Sequence, residues 1–186
     1  MPRQNTMLIE TKRLVLRPVE PEDAEFLARL MDEVDLHDSS GPYSLIYPSS
    51  KEIEERWISQ IGSRKDEAHM VIEKRAGRAS IGIISVSEME KRNSSAHIGI
   101  RLKGESWDQG HGTEAIRGAL KFMFESLNIH RVWLRVDEEN ARAIRCYEKC
   151  GFTLEGVLRE NHIRNGCWKN SVVMSIIQGE LKEERR

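Results

Sequence analysis

The apolar residues in the middle of the chain change their spacing, and this change limits the possible folds more than any other feature. Three short runs rich in β-branched and apolar residues, at 70–73, 81–86 and 96–102, are separated by polar, turn-like clusters. Runs of this length between turn signals are typical of strands joined by short connections. The pattern predicts an antiparallel meander, which argues against a fold that begins with parallel β-α-β units.

Helical spacing appears on both sides of the meander. After it, Ile116, Leu120 and Met123 recur at intervals of three and four residues and share one face. Asn140 is a good N-cap residue, and Gly151 can adopt the left-handed conformation that ends a helix. Together these signals predict four helices, near residues 21–34, 49–61, 113–127 and 140–150, and seven strands, near residues 13–19, 70–73, 81–86, 96–102, 132–136, 152–159 and 168–177.

Composition excludes several classes of protein. The 186 residues carry 29 Lys and Arg against 30 Asp and Glu, interleaved to a net charge of -1, which argues against a nucleic-acid partner. No apolar stretch approaches the roughly 20 residues of a membrane span. Residues 1–10 contain no apolar run followed by a cleavage site. We therefore expect one cytoplasmic domain over residues 1–186, with no membrane partner.

The three cysteines indicate neither disulfides nor metal binding. Cys146, Cys150 and Cys167 cannot all pair within one chain, and none stands in a Cys-x-x-Cys spacing. Cys146 and Cys150 are four residues apart and would share one face of a helix, where a free cysteine usually behaves as a small buried hydrophobe. We expect reduced thiols and no metal site.

The most informative segment is Trp107-Asp-Gln-Gly-His-Gly-Thr-Glu-Ala115, at the predicted start of a helix. A helix start exposes unpaired N–H groups, and glycines let a phosphate approach the backbone closely. The segment therefore predicts a pyrophosphate cradle. A dinucleotide-binding fingerprint would also fit Gly110, Gly112 and Ala115, but it requires an acidic residue about 20 positions later, where Arg135 stands. A P-loop is excluded because no Gly-Lys-Ser/Thr triplet occurs.

Two further motifs accompany this segment, Leu127-Asn-Ile-His-Arg-Val132 and Asn140-Ala-Arg-Ala-Ile-Arg-Cys-Tyr-Glu-Lys-Cys-Gly-Phe152. In this order the three motifs resemble the GNAT superfamily of N-acetyltransferases, especially its ribosomal-protein N-terminal and spermidine acetyltransferases. The resemblance implies an α/β (α+β) fold with a mixed, mostly antiparallel central sheet of about seven strands and about four flanking helices. It also implies that two neighbouring strands splay apart to admit the pantetheine arm of acetyl-CoA.

The resemblance assigns roles to individual residues of this chain. It implies that the Tyr147 hydroxyl points at the thioester sulfur and that Asn140 lies near the pantetheine. Tyr147 would stabilise the departing thiolate, because a phenol with a pKa near 10 is less acidic than a thiol with a pKa near 8.5. The implied coenzyme-binding residues are Ile100, Arg101 and Leu102 along the strand backbone, Gln109, Gly110, His111, Gly112 and Thr113 around the pyrophosphate, and Asn140 and Tyr147.

The general base is less well defined by the sequence. Some relatives carry a glutamate twelve residues before the tyrosine, and here that position is Arg135. His97 stands where many relatives have another glutamate, and its imidazole, with an ordinary pKa near 6.5, could relay a proton through water. We predict Tyr147 and His97 as the catalytic residues, although a lone strand histidine is also compatible with a structural role.

The acidity of amines helps to distinguish the possible acceptors. An α-amino group is about a quarter neutral at pH 7.4, whereas an alkyl amine is only about 0.1% neutral. A site without a clear carboxylate base therefore favours a protein or peptide α-amine. Asp32, Glu33, Asp35 and Asp38 support the alternative, a polyamine such as spermidine or another small amine. A non-catalytic CoA sensor is a further alternative, and a homodimer is allowed as the assembly.

Overall fold

The computed structural model describes residues 8–32, 50–61, 63, 65–164 and 166–181. The predicted α/β (α+β) fold is confirmed, with eight strands instead of seven. The extra strand has two residues, too few for a periodic signal. The strands are β1 (Ile9–Glu10), β2 (Leu14–Pro18), β3 (Ala68–Lys74), β4 (Ser80–Glu90), β5 (Ser95–Leu102), β6 (Arg131–Asp137), β7 (Thr153–Arg164) and β8 (Cys167–Ile177). The helices are α1 (Ala24–Asp32), α2 (Lys51–Ile61), α3 (His111–Glu125) and α4 (Ala141–Cys150).

The strands form one mixed sheet in the order β1-β2-β3-β4-β5-β6-β8-β7. Each successive pair among the first five strands is antiparallel, and β3, β4 and β5 confirm the predicted meander. β5 and β6 are parallel, and they pair only from Ser95 to His97 and from Arg131 to Trp133. Beyond His97 and Trp133 the ladder ends, so the two strands diverge. The splayed pair implied by the resemblance is therefore present.

Helices cover both faces of the sheet. The larger core lies between the sheet and the pair α3 and α4, where Ile116, Leu120 and Met123 are at most 1% exposed. A smaller core on the other face joins Leu27 and Leu30 of α1 to the sheet and to α2. The alternation of a strand therefore decides whether a side chain faces α3 and α4 or faces α1 and α2.

Both helices near the splayed strands begin at residues suited to that position. α3 starts at His111, two residues earlier than predicted, because Gly110 makes the turn with a left-handed φ of 78°. Asn140 caps α4 as predicted, with its Oδ1 accepting a hydrogen bond from the Ala143 N–H at 3.1 Å. Gly151 ends α4 in the left-handed conformation, also as predicted. These ends fix the two walls of the region where β5 and β6 separate.

Some predicted boundaries differ from the observed ones. The predicted first helix opens as a 3₁₀ turn, Pro21–Asp23, before α1. β7 is longer than predicted, and its pairing with β8 shifts after Leu154 and after Leu158.

The loop acids Glu33, Asp35 and Asp38 lie outside the described residues, whereas Asp32 ends α1. Within the described part of the chain, no helix combines the length and the apolar character that a membrane crossing requires.

Candidate active site

A cleft opens where β5 and β6 diverge, between the start of α3 and the start of α4. Both helices point their amino-terminal ends at it, and such ends carry partial positive charge. Most residues that the resemblance implied as coenzyme ligands are brought together here. Those lining the cleft are Ile100, Leu102, Gly110, His111, Gly112, Thr113, Asn140 and Tyr147.

Gly110 and Gly112 place no side chains in the cleft at the start of α3. A Cβ atom on Gly112 would lie 3.3 Å from the Cys146 Sγ and 3.5 Å from the Leu102 Cδ1. A larger side chain at this position would therefore occupy the space between the two walls. With Gly110 turning the chain into α3, the exposed amides of the first helical turn can donate to an anion. This arrangement suits a diphosphate, as the sequence predicted.

Two buried polar atoms at the edge of the cleft also indicate a ligand. Ser106 is 1% exposed, and its Oγ has no hydrogen-bond partner among the described residues. The Nδ1 of His111 is in the same situation. Burial lowers the pKa of His111, as do the nearby cations Arg13 and Lys74. Since buried polar groups are rarely left unpaired, these two atoms mark unused hydrogen-bonding capacity beside the cleft.

A partly buried carboxylate ties the amino-terminal strands to the start of α3. Glu114 Oε1 accepts hydrogen bonds from the Thr11 hydroxyl at 2.7 Å and from the Arg13 N–H at 2.6 Å. The Arg13 side chain pairs with Glu114 Oε2 at 2.6 Å and donates to the Gln109 carbonyl at 3.0 Å. Burial raises the pKa of Glu114, but these hydrogen bonds outweigh it and hold the pKa below its usual range. Through its hydrogen bond to the Gln109 carbonyl, Arg13 thereby holds the turn at Gly110 in position.

Tyr147 lies on the inner side of α4. It is 7% exposed, and its ring contacts Phe152 edge to face with centroids 5.7 Å apart. The residue lines the cleft while most of its ring packs in the main core. Its position fits the predicted contact with a thioester sulfur.

His97 lies at the point where the strands separate, on the opposite face from α3. Its Nδ1 lies 3.2 Å from the Ser87 Oγ, and its ring contacts Trp133 with centroids 4.8 Å apart. Burial lowers the pKa of His97; nearby Glu88 raises it, and Arg135 lowers it. The imidazole is therefore neutral at physiological pH. His97 does not line the coenzyme cleft, so any role must be exercised from the α1 and α2 side.

Two further predicted residues point their side chains away from the cleft. The Arg101 guanidinium donates to the Met31 sulfur on the α1 face. The Gln109 side chain donates to the Glu105 carbonyl at 2.6 Å. For Arg101 the resemblance implied only a backbone contact, and its strand has no ladder with β6 at this position. Neither Arg101 nor Gln109 is among the residues that line the cleft.

The cysteine prediction needs one correction. Cys150 is buried, as predicted, but Cys146 is only partly buried and lines the cleft. Its Sγ lies 3.4 Å from the Thr113 Oγ1. The hydrogen bond with Cys150 lowers the pKa of Cys146 to about 7 and raises that of Cys150, as does burial of Cys150. The spacing of four residues correctly places Cys146 and Cys150 on one face of α4. It does not reveal that the cleft opens beside Cys146.

Sequence reasoning missed a contact across the mouth of the cleft. The guanidinium carbon of Arg142, in the first turn of α4, lies 3.4 Å from the centroid of the Trp107 ring. Both residues line the cleft and both stand in the motifs quoted above. The motifs therefore contain both residues, but nothing in the spacing of the motifs predicts that Arg142 contacts Trp107.

The chain resembles acetyltransferases along most of its length. Residues 13–153 match the Acetyltransferase (GNAT) domain. The chain is 31% identical to spermidine N(1)-acetyltransferase of Vibrio cholerae, over 90% of this chain and 95% of that protein. It is 28% identical to the Escherichia coli K12 spermidine N(1)-acetyltransferase, over 92% and 89%. The crystal structure of V. cholerae spermidine N-acetyltransferase with CoA and spermine matches with a TM-score of 0.82 and 29% identity, over 91% of this chain and 98% of that one.

Proposed function

Because the chain belongs to the GNAT acetyltransferase family and uses acetyl-CoA to acetylate an amine, we propose that its acceptor is a polyamine such as spermidine or spermine. The observation that carries this proposal is the match over about nine-tenths of the chain to spermidine acetyltransferases. A structure of one of them, with CoA and spermine, shares the fold over the same extent. The sequence ranked a polyamine second, and the relatives support it better than the protein α-amine.

The cleft fits acetyl-CoA on two structural grounds: the glycines at the start of α3, and the Ser106 hydroxyl, which has no hydrogen-bond partner among the described residues. Bound acetyl-CoA supplies an acetyl group activated as a thioester. In the proposed mechanism the first amides of α3 hold the diphosphate, and the Tyr147 hydroxyl donates a hydrogen bond to the departing sulfur. The role of the phenol is to stabilise the thiolate until a proton arrives, because an ordinary phenol, with a pKa near 10, is less acidic than an ordinary thiol, with a pKa near 8.5.

The amine is proposed to enter from the α1 and α2 face. The coenzyme cleft occupies the other face, and the open ladder beyond His97 and Trp133 connects the two. Glu88, whose charge acts on the pKa of His97, can attract an ammonium group to this face. The amine must lose a proton before it can attack, and neutral His97 is placed to accept that proton through water.

The protein α-amine remains the second candidate because one observation favours it. Arg135 is exposed on the same face, with its guanidinium carbon 5.6 Å from the centroid of the Trp133 ring. A cation here repels a polycation more than it repels an acceptor with a single amine. Of Asp32, Glu33, Asp35 and Asp38, only Asp32 at the end of α1 lies within the described residues, and it is exposed.

The acceptor is tested by measuring CoA release from acetyl-CoA with spermidine, spermine, putrescine and short peptides of differing first residue. We expect kcat/KM for spermidine or spermine to exceed that for every peptide by at least about tenfold, a difference of roughly 1.4 kcal/mol in transition-state stabilisation. Rapid acetylation of peptides with no reaction of polyamines would refute the polyamine proposal and leave the family assignment intact.

A pH profile tests the role of His97. The lowered pKa of His97 means that kcat/KM should fall only when the pH drops below about 6.5, as the imidazole becomes protonated and can no longer accept a proton. We expect His97→Gln to lower kcat/KM roughly tenfold and to remove this acidic limb. The rise toward higher pH that reflects amine ionisation should persist in both proteins.

His130→Gln serves as the control for this profile, because His130 is exposed and stands just before β6. It should leave both the rate and the acidic limb unchanged. A purely structural His97 predicts a different result, in which His97→Gln lowers the melting temperature but keeps the acidic limb of the wild type.

The homodimer remains a prediction. β7 forms one edge of the sheet, and Leu154, Val157 and Ile163 on it are 44–56% exposed. Trp168, opposite Ile163 on β8, is 60% exposed. An apolar edge strand is a surface that self-association would cover.

A further inference from the structure

We propose that Arg142, held in place by Trp107, is a side-chain ligand for a phosphate group of the coenzyme. The proposal rests on the proposed function only in requiring that the cleft binds acetyl-CoA. It adds a binding residue on α4, the wall opposite the glycine turn.

The indole of Trp107 provides a fixed platform. Trp107 follows β5 and a 3₁₀ turn, and its Nε1 donates a hydrogen bond to the Leu102 carbonyl at 3.0 Å. Arg142 reaches this ring from the first turn of α4, with its guanidinium carbon 3.4 Å from the ring centroid. The pair therefore joins the two walls of the cleft at the height of the α3 and α4 amino termini.

In this position the guanidinium of Arg142 can still donate hydrogen bonds to an anion. Within the described residues no carboxylate lies at salt-bridge distance from Arg142. A neighbouring acid of the cleft, Asp137, is engaged by Arg164 at 2.7 Å and by His162 at 3.1 Å. Contact with an aromatic ring stabilises a guanidinium through its face and leaves the N–H groups in its plane to donate. Those donors match phosphate oxygens, often in pairs.

The placement of Arg142 complements the amides of α3. These amides approach a diphosphate from one wall and are neutral donors, whereas the coenzyme carries several negative charges on its diphosphate and on its ribose 3′-phosphate. Arg142 supplies a full positive charge from the other wall of the cleft. Either phosphate could be its partner, and the two cases differ in a measurable way.

The test is isothermal titration calorimetry of the full chain with CoA and with 3′-dephospho-CoA. We expect Arg142→Gln to weaken CoA binding at least about tenfold, the usual effect of losing a charge-assisted hydrogen bond. Equal weakening of both ligands assigns Arg142 to the diphosphate, and weakening of CoA alone assigns it to the 3′-phosphate. The salt dependence of the dissociation constant should also become shallower.

Arg145→Gln is the matched control, because Arg145 is exposed on the same helix and does not line the cleft. It should bind both ligands as the wild type does. Trp107→Phe should weaken CoA binding less than Arg142→Gln, since a smaller ring still supports the guanidinium. If Arg142→Gln binds both ligands as tightly as Arg145→Gln, the proposal is wrong. A wild-type protein that fails to bind CoA would instead contradict the proposed coenzyme site.

Discussion

Tyr147→Phe is expected to lower kcat at least about 100-fold, the lower end of what a positioned proton donor contributes. The variant loses only the hydroxyl, which is proposed to donate to the sulfur as negative charge develops there. Because this charge is absent from the ground state, binding of CoA should change by no more than about twofold. Single-turnover rates and calorimetry with CoA separate the two quantities.

The substitution is a mild one for the fold. Phenylalanine keeps the ring that packs edge to face on Phe152 in the main core, so the melting temperature serves as the check on packing. A kcat within about threefold of the wild type would contradict the catalytic role, because it corresponds to less than about 0.7 kcal/mol. A coenzyme sensor without activity would behave differently again, binding CoA in both forms and transferring acetyl groups in neither.

Much of the fold follows from local patterns that the chain repeats clearly. The meander is predicted because β3, β4 and β5 each contain a short apolar run bounded by turn residues. Likewise α4 is predicted because Asn140 and Gly151 mark its two ends by backbone chemistry that depends only on neighbouring residues. Such signals act over a few positions, so a sequence carries them without reference to the tertiary structure.

The contacts around the cleft that escaped prediction depend on residues that are distant in sequence. The hydrogen bonds from Thr11 and Arg13 to Glu114 join positions about 100 residues apart. The stacking of Arg142 on Trp107 likewise exists only after α4 has packed beside the end of β5. No periodicity or cap signal encodes such a pair, and charge balance alone offers many other partners for each residue.

His97 illustrates an intermediate case. Ala96 and Ile98 are buried in the main core against α3, so the alternation of β5 already requires His97 to face the other side of the sheet. The sequence could have assigned it to the acceptor side rather than to the coenzyme cleft. Its contacts with Ser87 and Trp133 could not be deduced, because they depend on the register of β4 and β6.

Gly112→Leu is expected to weaken CoA binding roughly 100-fold or more, equivalent to about 2.7 kcal/mol. A Cβ atom on Gly112 already lies 3.3 Å from the Cys146 Sγ and 3.5 Å from the Leu102 Cδ1. The rest of a leucine side chain would therefore project into the passage between the walls. Gly112→Ala should bind CoA within a fewfold of the wild type, because only the Cys146 Sγ needs to yield, by a few tenths of an ångström, while the Leu102 Cδ1 is at ordinary van der Waals distance.

Comparing Gly112→Leu with Gly112→Ala distinguishes steric blocking of the cleft from a loss of folding. Replacing a helical glycine removes a penalty of about 1 kcal/mol, so neither variant is expected to weaken α3 itself. Gly156→Leu on β7 is the control for added bulk, since among the described residues, its two chain neighbours aside, no atom lies within 4 Å of a Cβ built there. It should bind CoA normally. Normal binding by Gly112→Leu as well would mean that the coenzyme does not pass over this turn, and the diphosphate site would have to lie elsewhere.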